Sequence, residues 1–231
     1  MIKRYVSLAC GCLGLLLAFQ SPAQADVLLS ETWDGTTIQN GLTISGDPLD
    51  NLGMWIDFPD SNRWGVVSDA DCVAPCSGSY ARHLEQTSDN TNSLFYGIDR
   101  AVSAGETFAI DFDYIATRNG RVTLLGLQAG TSALDPFAPF WFNGDPDDGE
   151  SLLSGTDEVL PQSAAWTSAS RTATAGSSFD ALGFVVVMGG IDGVRGIDNI
   201  NVATVAEPPT LALLAMGVLG LLFAQRHRHA A

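Results

Sequence analysis

An all-β fold, a sandwich of two antiparallel β-sheets, is what this 231-residue sequence predicts, and three observations predict it. Between the two apolar ends no stretch holds a 3.6-residue apolar period for three turns. A two-residue period recurs instead, most clearly at Phe108, Ile110, Phe112 and Tyr114 with Asp111 and Asp113 between them, so one strand face is dry and the other wet. The 24 Gly and 10 Pro punctuate the chain often enough for about ten to twelve short strands. No internal repeat is present, which argues against a propeller or a solenoid.

The chain opens on an export signal. Lys3 and Arg4 precede an apolar run at 5–19, and Ala23-Gln24-Ala25 is a small-x-small cleavage site. Residues 1–25 are expected to be removed, so that the exported protein starts at Asp26. Cys10 and Cys12 lie within the apolar run, whereas an acylated lipoprotein cysteine would follow it.

In the body, residues 26–205, strands are expected at 36–44, 54–58, 64–67, 79–86, 94–98, 108–114, 121–128, 137–142, 165–175, 182–188 and 197–202. Arg118-Asn119-Gly120 supplies the positive φ values of a tight hairpin turn between 108–114 and 121–128. Gly176-Ser177-Ser178 and the acidic run from Gly144 to Glu150 read as surface loops, and 205–210 as a linker.

Beyond the linker, Glu207-Pro208-Pro209-Thr210 leads a second apolar run at 211–224, closed by Gln225-Arg226-His227-Arg228-His229. A helix from Pro208 to Ala224 would be about 25 Å long, just short of a bilayer core of about 30 Å, and apolar on every face. Pro suits its first turn, and Arg226 and Arg228 hold its far end in the cytoplasm, leaving the body outside.

This tail, Glu207-Pro208, then an apolar helix, then Arg226 and Arg228, resembles the PEP-CTERM sorting signal of Gram-negative bacteria over Ala206–Ala231. The resemblance implies an exosortase as partner, insertion in the inner membrane, and delivery to the cell surface or to an extracellular polysaccharide matrix. Ala206 stands where the motif has its first Pro, which leaves open both a tail that is cleaved and one that stays as an anchor.

The whole chain has a formal charge of −15, but the body carries 25 acidic residues against 7 Arg and no Lys, a net of −18. A nucleic-acid partner is excluded, because binding phosphates needs a basic surface. Anionic membranes and polymers are repelled unless divalent cations intervene.

The ends of the body carry a second resemblance. Ser30-Glu31-Thr32-Trp33-Asp34-Gly35 and Gly196-Ile197-Asp198-Asn199-Ile200-Asn201-Val202 are similar to the first and last strands of jelly-roll modules of the carbohydrate-binding and lectin-like type. That resemblance implies a jelly roll with neighbouring terminal strands, a structural calcium where they meet, and Glu31 and Asp198 as its ligands.

Catalytic chemistry has few residues to draw on. The body has one histidine, His83, and no Lys, so a nucleophile–histidine machine would have to be built on His83 and a Schiff base has no amine. Alternation puts His83 on a strand face with Ala81 and Glu85, the setting of a satisfied structural group. Cys72 and Cys76 are the cysteines left after signal removal. In an oxidising compartment they are expected to bridge across a small loop, and they lack the Cys-x-x-Cys spacing of a redox-active pair.

Asp111 and Asp113, about 7 Å apart on one strand face, are the acids on which a glycoside hydrolase or lyase would be built. The plainer reading of them is a solvated strand face. The loop at 145–150 offers oxygens for a hard cation without the spacing of an EF-hand. Of the 5 Trp, Trp141 lies in Pro136-Phe137-Ala138-Pro139-Phe140-Trp141-Phe142 beside that loop. Trp141 and Phe140 are the expected stacking platform for a sugar ring, with Asp145 reading hydroxyls. The sequence thus predicts an exported, non-catalytic binding or structural module of the polysaccharide matrix. A hydrolase or lyase on the same fold and a purely architectural surface protein are the alternatives.

Overall fold

The computed structural model describes residues 25–39, 49, 52–58, 64–84, 91–116, 120–129, 150–153, 159–189 and 195–206. Asp26–Val205 forms one compact unit. Thirteen strands are found among the described residues: β1 (Val27–Glu31), β2 (Ile38–Gln39), β3 (Trp55–Phe58), β4 (Trp64–Val67), β5 (Tyr80–His83), β6 (Thr91–Ile98), β7 (Thr107–Ala116), β8 (Gly120–Leu127), β9 (Glu150–Ser151), β10 (Val159–Leu160), β11 (Ser163–Thr174), β12 (Ala181–Gly189) and β13 (Arg195–Thr204). No helix among the described residues is long and apolar enough to cross a membrane. The export signal, the expected strand at 137–142, the loop from Gly144 to Gly149 and the tail from Glu207 onward lie outside the described residues.

The strands form two sheets, as predicted. In the first the order is β11-β7-β13-β5-β4, with β1 also on β13, and in the second it is β10-β8-β12-β6-β3-β2, with β9 also on β8. Adjacent strands are antiparallel except β2 and β3, which run parallel with Ile38 opposite Trp55.

Alternation sets the layers. Phe108, Ile110, Phe112 and Tyr114 of β7 are buried in the main core, where they join Leu182, Phe184 and Val186 of β12. The other face of β12, Ala181, Val185 and Val187, packs with Ile56, Phe95, Leu125 and Leu127 in a second apolar cluster. The second sheet is therefore dry on both faces, which is why β12 reads as an unbroken apolar run rather than an alternating one.

One local expectation fails. The expected hairpin between β7 and β8 is not formed, because β7 pairs with β11 and β13 while β8 pairs with β12, β9 and β10 in the opposite sheet. Each strand carries a core-facing apolar row, and placing the two rows face to face across the sandwich buries both, which outweighs a local turn preference.

The edge of β13 positions the site. β5 pairs with Gly196 and Ile197, and β1 pairs with the stretch from Ile200 to Ala203, so two strands meet end to end along one edge. Asp198 and Asn199 occupy the gap. The register with β7 slips between Asp198 and Asn201, and Asn199 takes a left-handed φ of 49°, which asparagine tolerates better than a branched residue.

Candidate functional site

The gap lies under the connection between β4 and β5, residues 68–79, which crosses the outer face of the first sheet as far as β11. At that far end the Trp166 indole N–H donates to the Asp71 carbonyl at 2.7 Å. At the near end the Tyr80 hydroxyl donates to Asp69 Oδ1 at 3.0 Å, and the Arg82 guanidinium reaches Asp69 Oδ2 at 2.7 Å. Tyr80 and Trp166 meet edge to face, with ring centroids 5.1 Å apart. Burial, together with the bond to Asp69, pushes the Tyr80 phenol up to about 12.

Cys72 and Cys76 are joined by a disulfide with Cα atoms 5.3 Å apart, an ordinary separation, and this closes the centre of the loop. Directly below it Asp198 faces Asp113 across the β13–β7 ladder. Asp113 is nearly enclosed, with Oδ1 accepting from the Ser168 hydroxyl at 2.5 Å and Oδ2 from the Asn199 amide at 2.8 Å. The same Asn199 amide donates to the Pro75 carbonyl at 3.3 Å. Asp198 is 0% exposed. Its Oδ2 accepts from the Ser77 backbone N–H at 3.0 Å, and its Oδ1 has no hydrogen-bond partner among the described residues.

Burial is the main reason that the Asp198 carboxyl is held above its ordinary value. The N–H groups of Ser77 and Asn199 pull it back down, and the charges of Asp113 and Asp34 push it up. Asp34 reaches the same region from the turn after β1, accepting from the Ser79 N–H at 3.3 Å. Gly78 has a φ of 77°, and a Cβ there would stand 2.9 Å from Asp34 Oδ1, so the loop needs glycine at this point for both backbone and space. Asp198 and Asp113 thus lie paired beneath the loop, with the exposed Asp34 at its edge.

The predicted pairing of Glu31 with Asp198 is corrected by the register. Glu31 is opposite Ile200, whose neighbour Val202 is buried in the core, and Glu31 therefore points to the inner face. There its Oε1 accepts from the Trp33 N–H at 2.6 Å and the Thr36 hydroxyl at 2.8 Å, and its Oε2 accepts from the Trp55 indole at 2.9 Å. These bonds hold Trp33 in a left-handed φ of 61°. Asp198 shares the outer face with Asp113. The terminal strands are neighbours as expected, but Glu31 is saturated by donors on the far side of the sheet and does not fit a cation shared with Asp198.

Other expectations divide in the same way. Asp111 and Asp113 share a strand face, yet Asp111 is exposed whereas Asp113 is tied down beneath the loop. His83 is buried inside the sandwich against Trp64, edge to face at 5.4 Å, because β5 turns its Ala81 and His83 row inward. Trp33, Trp55, Trp64 and Trp166 are all at most 5% exposed. Trp141, Phe140 and Asp145, with the sorting residues Glu207, Pro208, Arg226 and Arg228, lie outside the described residues. Ser77, Ser168 and Asn199 complete the site without a sequence signal of their own, and Asp34 joins them at its edge. The Asp34-Gly35 turn was a visible signal, while the meeting of β5 and β1 at Asp198 has none.

No protein-family model matches the sequence, and comparison with curated proteins finds no match. Among solved structures the chain is similar to the enzymatically active domain of tailspike protein 4 from bacteriophage CBA120, with 10% identity and a TM-score of 0.48 over 72% of this chain and 21% of that one. It is also similar to the CBM22-1 xylan-binding domain of Paenibacillus barcinonensis Xyn10C, with 13% identity and a TM-score of 0.46 over 82% of this chain and 100% of that one. A third is the Stig cyclase Fisc from Fischerella sp. TAU, with 13% identity and a TM-score of 0.47 over 80% of this chain and 100% of that one.

Proposed function

We propose that the Asp26–Val205 sandwich is a non-catalytic binding module, exported and sorted to the cell surface, that associates with extracellular polysaccharide. The observation that carries this reading is the fate of Asp113. A glycosidase needs two carboxyl groups free to reach substrate from both sides of a bond. Here Asp113 is spent on Ser168 and Asn199 while Asp111 stands in solvent. The buried position of four Trp leaves Trp141 as the tryptophan for sugar stacking. Purified module should be retained on polysaccharide extracted from the producing cells, and Trp141→Ala should abolish retention. Release of sugar products by the wild type, lost in Asp113→Asn, would establish the hydrolase or lyase instead.

The acidic outer-face cluster supports a second component of this proposal, a structural divalent cation, with calcium as the hard ion suited to carboxylates. Asp198 would hold it, with Asp113 and Asp34 as the neighbouring charges. A wholly buried carboxylate facing another is costly unless a proton or a positive charge offsets it. The ion would supply that charge and leave the loop bonds of Ser77 and Asn199 as they are. Chelation should lower the melting temperature, and no shift on chelator treatment would remove calcium from the reading.

Sorting rests on the tail. Fused to a reporter, the tail should direct surface delivery and processing that is lost when residues 207–231 are deleted. Unchanged delivery without them would refute the exosortase assignment.

A further inference from the structure

We propose that the outer face of the first sheet, beside the 68–79 loop, is a docking surface for an amine-bearing polysaccharide, with Asp111 as the anchor for its ammonium groups. The inference rests on the polysaccharide reading above and names the chemical class of the polymer. The register sets out the surface. Ser170 of β11 lies opposite Asp111 of β7, Asp111 opposite Asn201 of β13, and Asn201 opposite Ser30 of β1. These residues form one row across four neighbouring strands, about 14 Å long at about 4.8 Å per strand, on the same face as Asp113. Ser30, Asp111 and Ser170 are exposed and Asn201 is half-buried.

The row is unlike its neighbours. Toward the loop, Ser168 and Asn199 are bonded to Asp113. Away from it, the Thr107 and Thr174 hydroxyls pair at 3.2 Å. The side chains of Ser30, Asn201, Asp111 and Ser170 make no hydrogen bond among the described residues, so two hydroxyls, an amide and a carboxylate are open to a ligand. Between this row and the Thr107–Thr174 pair, Thr172, Ala109, Ala203 and Val27 form a low, mostly apolar row, with Val27 63% exposed. A polar row and an apolar row about 7 Å apart match the hydroxyl edge and the C–H face of a sugar chain.

Charge chooses among polysaccharides. The body is Lys-free with a net charge of −18, and the cation on this face among the described residues, Arg82, is held by Asp69 and Asp71 at 2.7 and 3.3 Å. An anionic polymer meets no open counter-charge here and is repelled by the field of the domain. A polymer of hexosamine units with free amines gains a charge-assisted hydrogen bond at Asp111, while Ser30, Asn201 and Ser170 take its hydroxyls. The same field raises the local concentration of such a polymer. Because the anchor stands in solvent, the attraction is modest at each sugar and sensitive to salt.

The test is calorimetric titration of the exported protein with a glucosamine hexamer and with the N-acetylglucosamine hexamer of the same linkage, at mildly acidic pH where free amines are charged. The wild type should bind the glucosamine hexamer about fivefold or more tightly than the acetylated one, and high salt should erase the preference. Asp111→Asn should remove the preference, as should Ser170→Arg, which sets a guanidinium opposite Asp111, with circular dichroism confirming that both variants are folded. Equal affinity of the wild type for the two hexamers would overturn the amine assignment and keep the polysaccharide reading. So would binding of neither hexamer by a protein that is retained on polysaccharide from the producing cells. A preference for the glucosamine hexamer that survives Asp111→Asn would overturn the placement on this face. Neither hexamer bound and no retention would overturn both readings.

Discussion

Asp113 and Asp198 stand directly opposite each other across the β7–β13 ladder, two acids in a cross-strand position that ordinarily favours opposite charges. The pair persists because its members are treated unequally. Asp113 takes two side-chain donors, while Asp198 keeps one oxygen bare.

Neutralising Asp198 should therefore stabilise the protein when no cation is present. In chelator, Asp198→Asn is expected to melt a few degrees higher than wild type, about 1 kcal/mol, and to lose the further rise that calcium gives the wild type. Thermal melts in chelator and in calcium check this, and a lower melting temperature for the variant in chelator would contradict it.

Glu31 should behave in the opposite way. Its carboxylate accepts three donors, so Glu31→Gln turns an amide N–H toward one of them and should cost about 1–3 kcal/mol. The calcium-induced rise in melting temperature should survive in this variant. Its loss would return Glu31 to the cation site.

Tyr80 gives the alkaline limit. A phenol raised to about 12 in the folded state contributes stability that is fully present below its ordinary value of 10.0 and is lost as pH climbs from there through about 12. Tyr80→Phe should cost about 1 kcal/mol at neutral pH through the bond to Asp69 and should flatten the fall in melting temperature above pH 10.0. An equally steep alkaline fall in the variant would assign that limit to other groups.

Glu106 acts on the acid side. Its two-pronged bond to Arg100, at 2.7 and 3.3 Å, holds the carboxyl below its ordinary 4.5, so its contribution is present above that value and lost as pH falls through the lowered one. The pair is partly exposed, which keeps its worth to about 1 kcal/mol or less. Glu106→Gln should melt lower than wild type at pH 7, and urea titrations at pH 7 and pH 3 should show the difference closing.

Much of the fold was legible because burial leaves a period. Trp64–Val67 was read to the residue, and β7, β8, β11, β12 and β13 to within a few residues at each end. β9 and β10, two residues each, carry too short a pattern to register, and Glu150 was read as loop. The candidate site was only half legible. Asp198 and the pair Cys72–Cys76 stand out by type, but the resemblance that pairs Glu31 with Asp198 carries no register, and the register of β1 on β13 turns Glu31 to the opposite face.

The sequence by itself determined what local pattern and composition can carry: a Lys-free acidic sandwich and a bridged cysteine loop. Only the tertiary structure decided which strands share a sheet, that β5 and β1 meet end to end at Asp198, and that residues 68–79 cover Asp113 and Asp198. The reason is physical. Alternation reports which residues avoid water, whereas the choice of partner strand is made by contacts between positions far apart in the chain, such as Ser77 with Asp198 and Asn199 with Asp113.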